Sequence, residues 1–107
     1  MEQLRFRFEG GNAVATPAAA RVIGVVASGN LEVLIEPAPE DPGCAIEIST
    51  AARGFGAIWQ AVMTDFHARH RLAGVRVSIN DAGATPAIVA LRLDQAVEAF
   101  THPVRGR

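Results

Sequence analysis

Residues 21–36 read RVIGVVASGNLEVLIE, which is two largely apolar runs with a short polar connection between them. β-branched and other apolar residues dominate both halves, and only Ser28, Gly29 and Asn30 separate them. Glycine and asparagine both tolerate positive φ, so a short connection of this composition between two strand-like runs is typical of a β-hairpin. The sequence therefore predicts antiparallel strands at residues 21–27 and 31–36, joined by a turn at residues 28–30.

Three further segments show the two-residue period of a half-buried strand. Their apolar positions are Leu4, Phe6 and Phe8; Cys44, Ile46 and Ile48; and Val75, Val77 and Ile79. The alanine-rich residues 13–20 indicate a loop, and the prolines and glycine of residues 37–43 indicate a second turn region. The pattern thus predicts five strands in all.

The period changes to that of a helix after Gly54. A second helix is predicted to begin at Pro86, where the missing N–H does no harm, with Thr85 as its N-cap. We interpret Trp59 and all the phenylalanines as core residues. The positions expected to face inward are Phe55, Ile58, Trp59, Val62, Met63 and Phe66 on the first helix, and Val89, Leu93, Val97 and Phe100 on the second.

The order of these elements is β-β-β-β-α-β-α. Two amphipathic helices need one apolar surface to cover, and a sheet provides it. The sequence predicts an α+β fold: a small two-layer sandwich with a four- to five-stranded, mostly antiparallel sheet covered by two helices. The strand at residues 75–80 is the candidate for parallel pairing, through the helix that precedes it. We expect residues 1–107 to form one domain, with residues 101–107 as a short tail.

Composition excludes several classes of function. All ten cationic side chains are arginine, so no lysine is present for Schiff-base chemistry. The formal net charge of −1 gives no general attraction to nucleic acid or to anionic membranes. A single cysteine, Cys44, fits a reducing compartment, and neither a signal peptide nor a membrane-spanning run is visible. We expect a soluble, cytoplasmic protein that binds neither nucleic acid nor membrane.

The chain lacks a recognisable catalytic or metal-binding motif. There is no Gly-x-Ser-x-Gly elbow, and no histidine lies near the candidate nucleophiles in sequence. His67 and His70 lie three residues apart on the first helix, but no cysteine or carboxylate completes a metal pattern, and we interpret His70 as part of the apolar face at the helix end. We expect no catalytic residue and no metal site.

Ser28 admits two interpretations. Serine, glycine and asparagine are ordinary turn formers, so the turn alone accounts for them. The same turn would present an exposed and sterically open hydroxyl, whereas the hydroxyls of Ser49 and Ser78 would be partly enclosed by residues of neighbouring strands. Such a hydroxyl is suited to covalent modification by another enzyme, and the residue pattern leaves both interpretations open.

A family resemblance favours the second interpretation. Residues 26–37 (VASGNLEVLIEP) and 79–86 (INDAGATP), with the helical segments 55–59 (FGAIW) and 66–70 (FHARH), resemble the acyl carrier (delta) subunit of bacterial malonate decarboxylase. The resemblance runs from about residue 20 to residue 100, and is more distant to the citrate lyase acyl carrier subunit. It implies that Ser28 is joined by a phosphodiester to 2'-(5''-phosphoribosyl)-3'-dephospho-CoA, whose thiol carries acetyl and malonyl groups.

The resemblance also implies partners. These are an acyl transferase (alpha) subunit, the decarboxylase (beta and gamma) subunits and a transferase that attaches the prosthetic group. The chain itself would be a non-catalytic carrier, with Gly29 and Asn30 forming the turn that presents Ser28. Two positions depart from the family pattern, which often has glycine where Ala27 stands and aspartate where Asn30 stands. A carrier of a citrate-lyase-type complex, or an unmodified assembly subunit, are the alternatives.

Overall fold

The computed structural model describes residues 1–13, 21–23 and 30–101. Two α-helices and seven strands lie in these ranges. The elements are β1 (Glu2–Phe8), β2 (Asn12–Ala13), β3 (Arg21–Ile23), β4 (Leu31–Pro37), β5 (Cys44–Thr50), α1 (Gly56–His70), β6 (Leu72–Ala73), β7 (Val75–Asp81) and α2 (Pro86–Thr101).

Five of the strands form one sheet, in the order β1-β5-β7-β4-β3. β5 and β7 are parallel and are joined through α1, whereas the other three neighbouring pairs are antiparallel. The predicted α+β class, the order of the elements and the parallel pairing through the first helix are confirmed. The order leaves β1 at one edge of the sheet and β3 at the other.

The two helices cover one face of this sheet. Alternate residues of the three central strands are buried against them, and the intervening positions form an open face of mostly polar side chains. All four predicted inward positions of α2 are buried. The buried strand residues are Leu31, Val33 and Ile35; Cys44, Ile46 and Ile48; and Val75, Val77 and Ile79. Neither helix in the described part of the chain is long and apolar enough to cross a membrane.

The prediction for the start of the first helix was wrong in part. Trp59, Met63 and Phe66 are buried as expected, but Phe55 is 47% and Ile58 46% exposed. Phe55 precedes the first residue of α1, and the space between this end of α1 and the start of α2 is a groove and not a packed interior. The apolar stripe of α1 is therefore wider than the surface that the sheet buries.

A second difference concerns the region between β1 and β3. Ala13 was predicted to lie in a loop, but it belongs to β2, which pairs in parallel with β6. A Cβ on Gly11 would lie 2.4 Å from the carbonyl oxygen of Leu72, so only glycine permits this close approach of two backbones. Strands of two residues are too short to show an alternation of apolar and polar residues, so the sequence pattern did not predict this pairing.

Candidate functional site

The hairpin that should carry Ser28 is formed by β3 and β4. The two strands are antiparallel, and Ile23 pairs with Val33 nearest the turn. The paired residues lie symmetrically in sequence about position 28, so Ser28 is equally far in sequence from the two members of each pair. Residues 24–29, including Ser28 and Gly29, lie outside the described residues. The pairing predicted from the sequence is confirmed, and the predicted turn at residues 28–30 stays a prediction.

Asn30 is the first described residue after Ser28, and it is exposed. Its carbonyl oxygen accepts a hydrogen bond from the backbone N–H of Ala82 at 2.8 Å. Leu31 follows and pairs with Asp81 of β7. The chain therefore enters β4 directly beside the turn that follows β7, which brings the two sequence motifs of the family resemblance together.

Asp81 organises this turn. It is 4% exposed, and one carboxylate oxygen accepts the backbone N–H groups of Gly83 at 3.1 Å and Ala84 at 2.8 Å. Its other oxygen accepts the hydroxyl of Thr50, on β5, at 2.8 Å. Gly83 has φ +119°, a conformation that favours glycine. The sequence predicted a turn here, but the partner of Asp81 on β5 is 31 residues away and gave no local signal.

The second helix begins as predicted. α2 starts at Pro86, and the hydroxyl oxygen of Thr85 accepts the backbone N–H of Ile88 at 3.3 Å. This bond satisfies one of the N–H groups that the first turn of a helix leaves without an intrahelical partner. The cap fixes the direction in which α2 leaves the Asp81 turn.

An apolar groove of about 300 Å³ lies between the Asp81 turn and the two helices. Phe55, Ile58, Trp59 and Val62 of the α1 end line one side, and Ala84, Pro86 and Val89 line the other. Asp81 is the one ionisable residue in this lining among the described residues, and its two carboxylate oxygens are occupied by the bonds above. The sequence reasoning missed this groove, although the excess width of the apolar stripe on α1 was a visible sign of it.

The remaining candidate nucleophiles lie within the sheet. Ser49 and Ser78 are half-buried, as predicted, and the hydroxyl of Ser49 donates to the side-chain oxygen of Gln3 at 2.9 Å. Cys44 is fully buried, and this burial raises the pKa of its thiol to about 11. A neutral, enclosed thiol is a poor nucleophile.

The histidines of α1 serve packing and helix contacts at its C-terminal end. His67 is 8% exposed and stacks on Phe8, with ring centroids 4.9 Å apart. His70 lies with its Nε2 2.8 Å from a carboxylate oxygen of Asp94 on α2. Burial acts to raise the pKa of Asp94, but hydrogen bonds from His70 and Arg69 outweigh it and hold that pKa below the usual value. Both histidines lie toward the C-terminal end of α1, whereas the groove lies at its N-terminal end.

Comparison with known proteins gives a consistent result. Residues 18–100 match the family model described as malonate decarboxylase delta subunit (MdcD). The malonate decarboxylase acyl carrier protein of Stenotrophomonas maltophilia (strain K279a) is 62% identical over 100 residues, covering 94% of both chains. That of Xanthomonas campestris pv. campestris (strain B100) is 61% identical over 100 residues, covering 94% of this chain and 95% of the relative.

A solved structure shares the fold. A chain in the crystal structure of a Pseudomonas malonate decarboxylase hetero-tetramer in complex with malonate superposes with a TM-score of 0.76 at 34% identity. The superposition covers 92% of this chain and 97% of that chain. The family match, the nearly full-length relatives and this fold agree, and the chain therefore belongs to the family of malonate decarboxylase acyl carrier proteins, the delta subunits of that enzyme.

Proposed function

We propose that this chain carries acyl groups for a malonate decarboxylase on a prosthetic group attached to Ser28, and that it performs no catalysis itself. The observation that carries the proposal is the similarity to malonate decarboxylase acyl carrier proteins, which is nearly full-length and at about 60% identity. Ser28 lies at the sequence midpoint of the residues that pair between β3 and β4. The proposed group is 2'-(5''-phosphoribosyl)-3'-dephospho-CoA, linked by a phosphodiester to the serine oxygen. When bound, it supplies a thiol on which acetyl and malonyl are held as thioesters.

The position of the hairpin suits this role. β3 is an edge strand, and Asn30, the first described residue after Ser28, is exposed. A modifying transferase needs access to the hydroxyl, and a long arm attached at a sheet edge reaches partner active sites without displacing the core. By contrast, Ser49 and Ser78 lie on the central strands β5 and β7, and both are half-buried.

The residues at the base of the hairpin suit a covalently attached prosthetic group better than one bound only by noncovalent contacts. A cavity of about 260 Å³ opens beside Asn30, and its described lining includes the acidic Glu32 and Asp81 but no arginine. Such a surface offers little attraction to a phosphate. A group rich in phosphate would thus be retained by its covalent bond to Ser28, which is what the carrier function requires.

The chain's own contribution would be positional. A tethered thioester meets each partner active site as an intramolecular reactant, at an effective concentration set by the length of the arm. The histidines pack at the C-terminal end of α1, and Cys44 is enclosed in the core, so the described residues offer no nucleophile beside the hairpin. The acyl transferase (alpha) and decarboxylase (beta and gamma) subunits would supply the chemistry, and a separate transferase would attach the group. We also propose that this protein is located in the cytoplasm.

The relatives favour malonate over citrate as the substrate of the complex. The relatives from Stenotrophomonas maltophilia and Xanthomonas campestris are named malonate decarboxylase acyl carrier proteins, and the similar solved chain comes from a malonate decarboxylase hetero-tetramer. The hetero-tetramer also supports an assembly with other subunits. We therefore propose a malonate decarboxylase only, and measurement of activity on citrate would exclude a citrate-lyase-type complex.

The first test is the intact mass of the protein purified from a host that holds the complete set of subunit and transferase genes. We expect an added mass of several hundred daltons, located on Ser28 by peptide mapping. The Ser28→Ala variant should lack this mass, and its complex should not decarboxylate malonate. Its free energy of unfolding should stay within about 0.5 kcal/mol of the native value, because a turn position accepts the change.

Ser78→Ala is the matched control. It removes another hydroxyl from the same chain, so it should retain both the added mass and the activity of the complex. An active complex whose carrier is unmodified, or full activity with Ser28→Ala, would refute the proposal and leave an assembly subunit as the function. Activity of the complex on citrate and not on malonate would instead identify the citrate-lyase type.

A further inference from the structure

The apolar groove at the α1 end, lined by Phe55, Ile58, Trp59, Val62, Ala84 and Val89, has no role in the function proposed so far. Its volume of about 300 Å³ lies at the lower end of the range for small-molecule sites. Phe55 and Ile58, each almost half exposed, extend its walls into solvent. An open groove with apolar walls favours a small, uncharged, partly apolar occupant.

The groove lies near Asn30, two residues after the proposed attachment point. Asn30 accepts the backbone N–H of Ala82, and the next residue, Gly83, lines the groove together with Asp81. Two residues of extended chain span at most about 7 Å, so an arm attached to Ser28 is tethered within that distance of Asn30. Tethering raises the effective concentration of the far end of the arm at every nearby surface, and weak contacts in the groove then suffice for occupancy.

Charge decides which end group fits. No cationic side chain lines the groove among the described residues, and Asp81, whose carboxylate is hydrogen-bonded to Thr50 and Ala84, is part of the lining. Placing a second carboxylate there would bury an unpaired charge next to a like charge, which is strongly unfavourable. An acetyl end group has a methyl that gains from burial and no charge to lose.

We propose that this groove shelters the end of the arm when it bears acetyl, and excludes it when it bears malonyl. The inference rests on the function proposed above. The groove would slow attack by water or other nucleophiles on the acetyl thioester, while the malonyl thioester would remain exposed for the decarboxylase subunits.

Cleavage by hydroxylamine at neutral pH tests this directly, with intact mass as the readout. The modified carrier, loaded with acetyl or with malonyl, is compared with acetyl-CoA and malonyl-CoA in the same solution. We expect the carrier to protect acetyl several-fold relative to acetyl-CoA, and to leave malonyl unprotected. Trp59 provides a second readout, because it lines the groove and is the single tryptophan of the chain. Its emission should change on acetyl loading and not on malonyl loading.

A matched pair of variants separates the groove from a general surface effect. Ile58→Gln changes an exposed residue in the groove, and Leu91→Gln changes an equally exposed residue on α2 outside it; their exposures are 46% and 47%. Ile58→Gln should raise the cleavage rate of the acetyl form about fivefold, which corresponds to losing most of one apolar contact. Leu91→Gln should leave that rate unchanged, and both variants should unfold at similar denaturant concentrations.

The outcomes distinguish this inference from the function on which it rests. If the mass of the group is present on Ser28 but Ile58→Gln and native carrier release acetyl at the same rate, the shelter is refuted and the carrier function stands. Equal protection of acetyl and malonyl would refute the selectivity. Unchanged cleavage together with weaker binding of Ile58→Gln to the partner subunits would show that the groove is instead a protein contact. Absence of the mass from an active complex would refute both proposals.

Discussion

Asp81 connects the turn after β7 to the neighbouring strand β5. Its carboxylate holds the turn after β7 through two backbone N–H groups and also holds β5 through the hydroxyl of Thr50. The sequence motif at residues 79–86 indicated the turn, because an aspartate two residues before a glycine is a common turn pattern. The bond to Thr50 depends on the pairing of β5 with β7, so only the tertiary structure shows it.

Replacing Asp81 should therefore destabilise the whole domain. We expect Asp81→Ala to lower the free energy of unfolding by about 2–4 kcal/mol, because it leaves a buried hydroxyl and two amides without their acceptor. Asp81→Asn should cost less, since the amide oxygen still accepts the backbone groups. Urea denaturation measures both, with Asn80→Ala, at an exposed neighbouring position, as the control. A stability of Asp81→Ala equal to that control would contradict the role given to the carboxylate.

Cys44 makes a second prediction at the residue scale. Its thiol is fully buried, with a pKa raised to about 11, so both access and thiolate formation are suppressed at neutral pH. Iodoacetamide at pH 8 should leave Cys44 unmodified in the folded chain and modify it fully in urea, as peptide mapping would show. On the modified carrier, the thiol of the prosthetic group should be alkylated first. Rapid modification of Cys44 without denaturant would mean that β5 opens readily.

At the scale of the elements, the start of α2 was predictable from local chemistry. Thr85 and Pro86 carry the signal, and the cap is present as predicted. We expect Thr85→Ala to cost about 1 kcal/mol, which corresponds to a fall in Tm of about 4–8 °C for a domain of this size. Thr64→Ala, in the exposed middle of α1, should be neutral or slightly stabilising because alanine is the better helix former. Equal effects of the two changes in thermal unfolding would argue against the cap.

The start of α1 was less predictable. The period of apolar residues identified the helix and its buried stripe, but it did not separate Trp59, which is buried, from Phe55, which is exposed. Both positions have the same chemistry and the four-residue spacing of one helix face. Both side chains line the groove, but Trp59 also belongs to the buried core cluster, whereas Phe55 precedes the helix and does not.

At the scale of the whole molecule, the sheet order places β3 and β1 at opposite edges. β3, at one edge, carries the segment with Ser28, whereas β1, at the other edge, is bound to the turn before β5. The guanidinium of Arg7 donates two hydrogen bonds to the carboxylate of Asp41, which also accepts the backbone N–H of Gly43 at 2.8 Å. The side-chain bonds from Arg7, followed by that backbone bond, lower the pKa of Asp41 from 3.8 to about 2.

This contact predicts a pH dependence of stability. A carboxylate whose pKa is lower in the folded than in the unfolded chain stabilises the fold above its unfolded pKa, and the effect is lost as the pH falls towards the folded pKa. Native protein should therefore be more stable than Asp41→Asn above about pH 4, and the difference should shrink between pH 4 and about 2. Urea midpoints across this range measure it, and 1 M salt should reduce it because the pair is partly exposed. A difference independent of pH would show that the ion pair contributes nothing.

The family resemblance, together with the turn pattern, singled out Ser28. Local sequence alone was enough to predict the order of the main-sheet strands and the two helices, the β3–β4 pairing and the cap of α2. These depend on period, turn chemistry and propensity, which act between residues close in the chain. Three features are visible only in the folded chain: Asn30 lies beside the Asp81 turn, Asp81 binds Thr50, and Phe55 and Ile58 border a groove. Those features arise from contacts between residues far apart in sequence, and the side chains that make them carry no local pattern that records their partners.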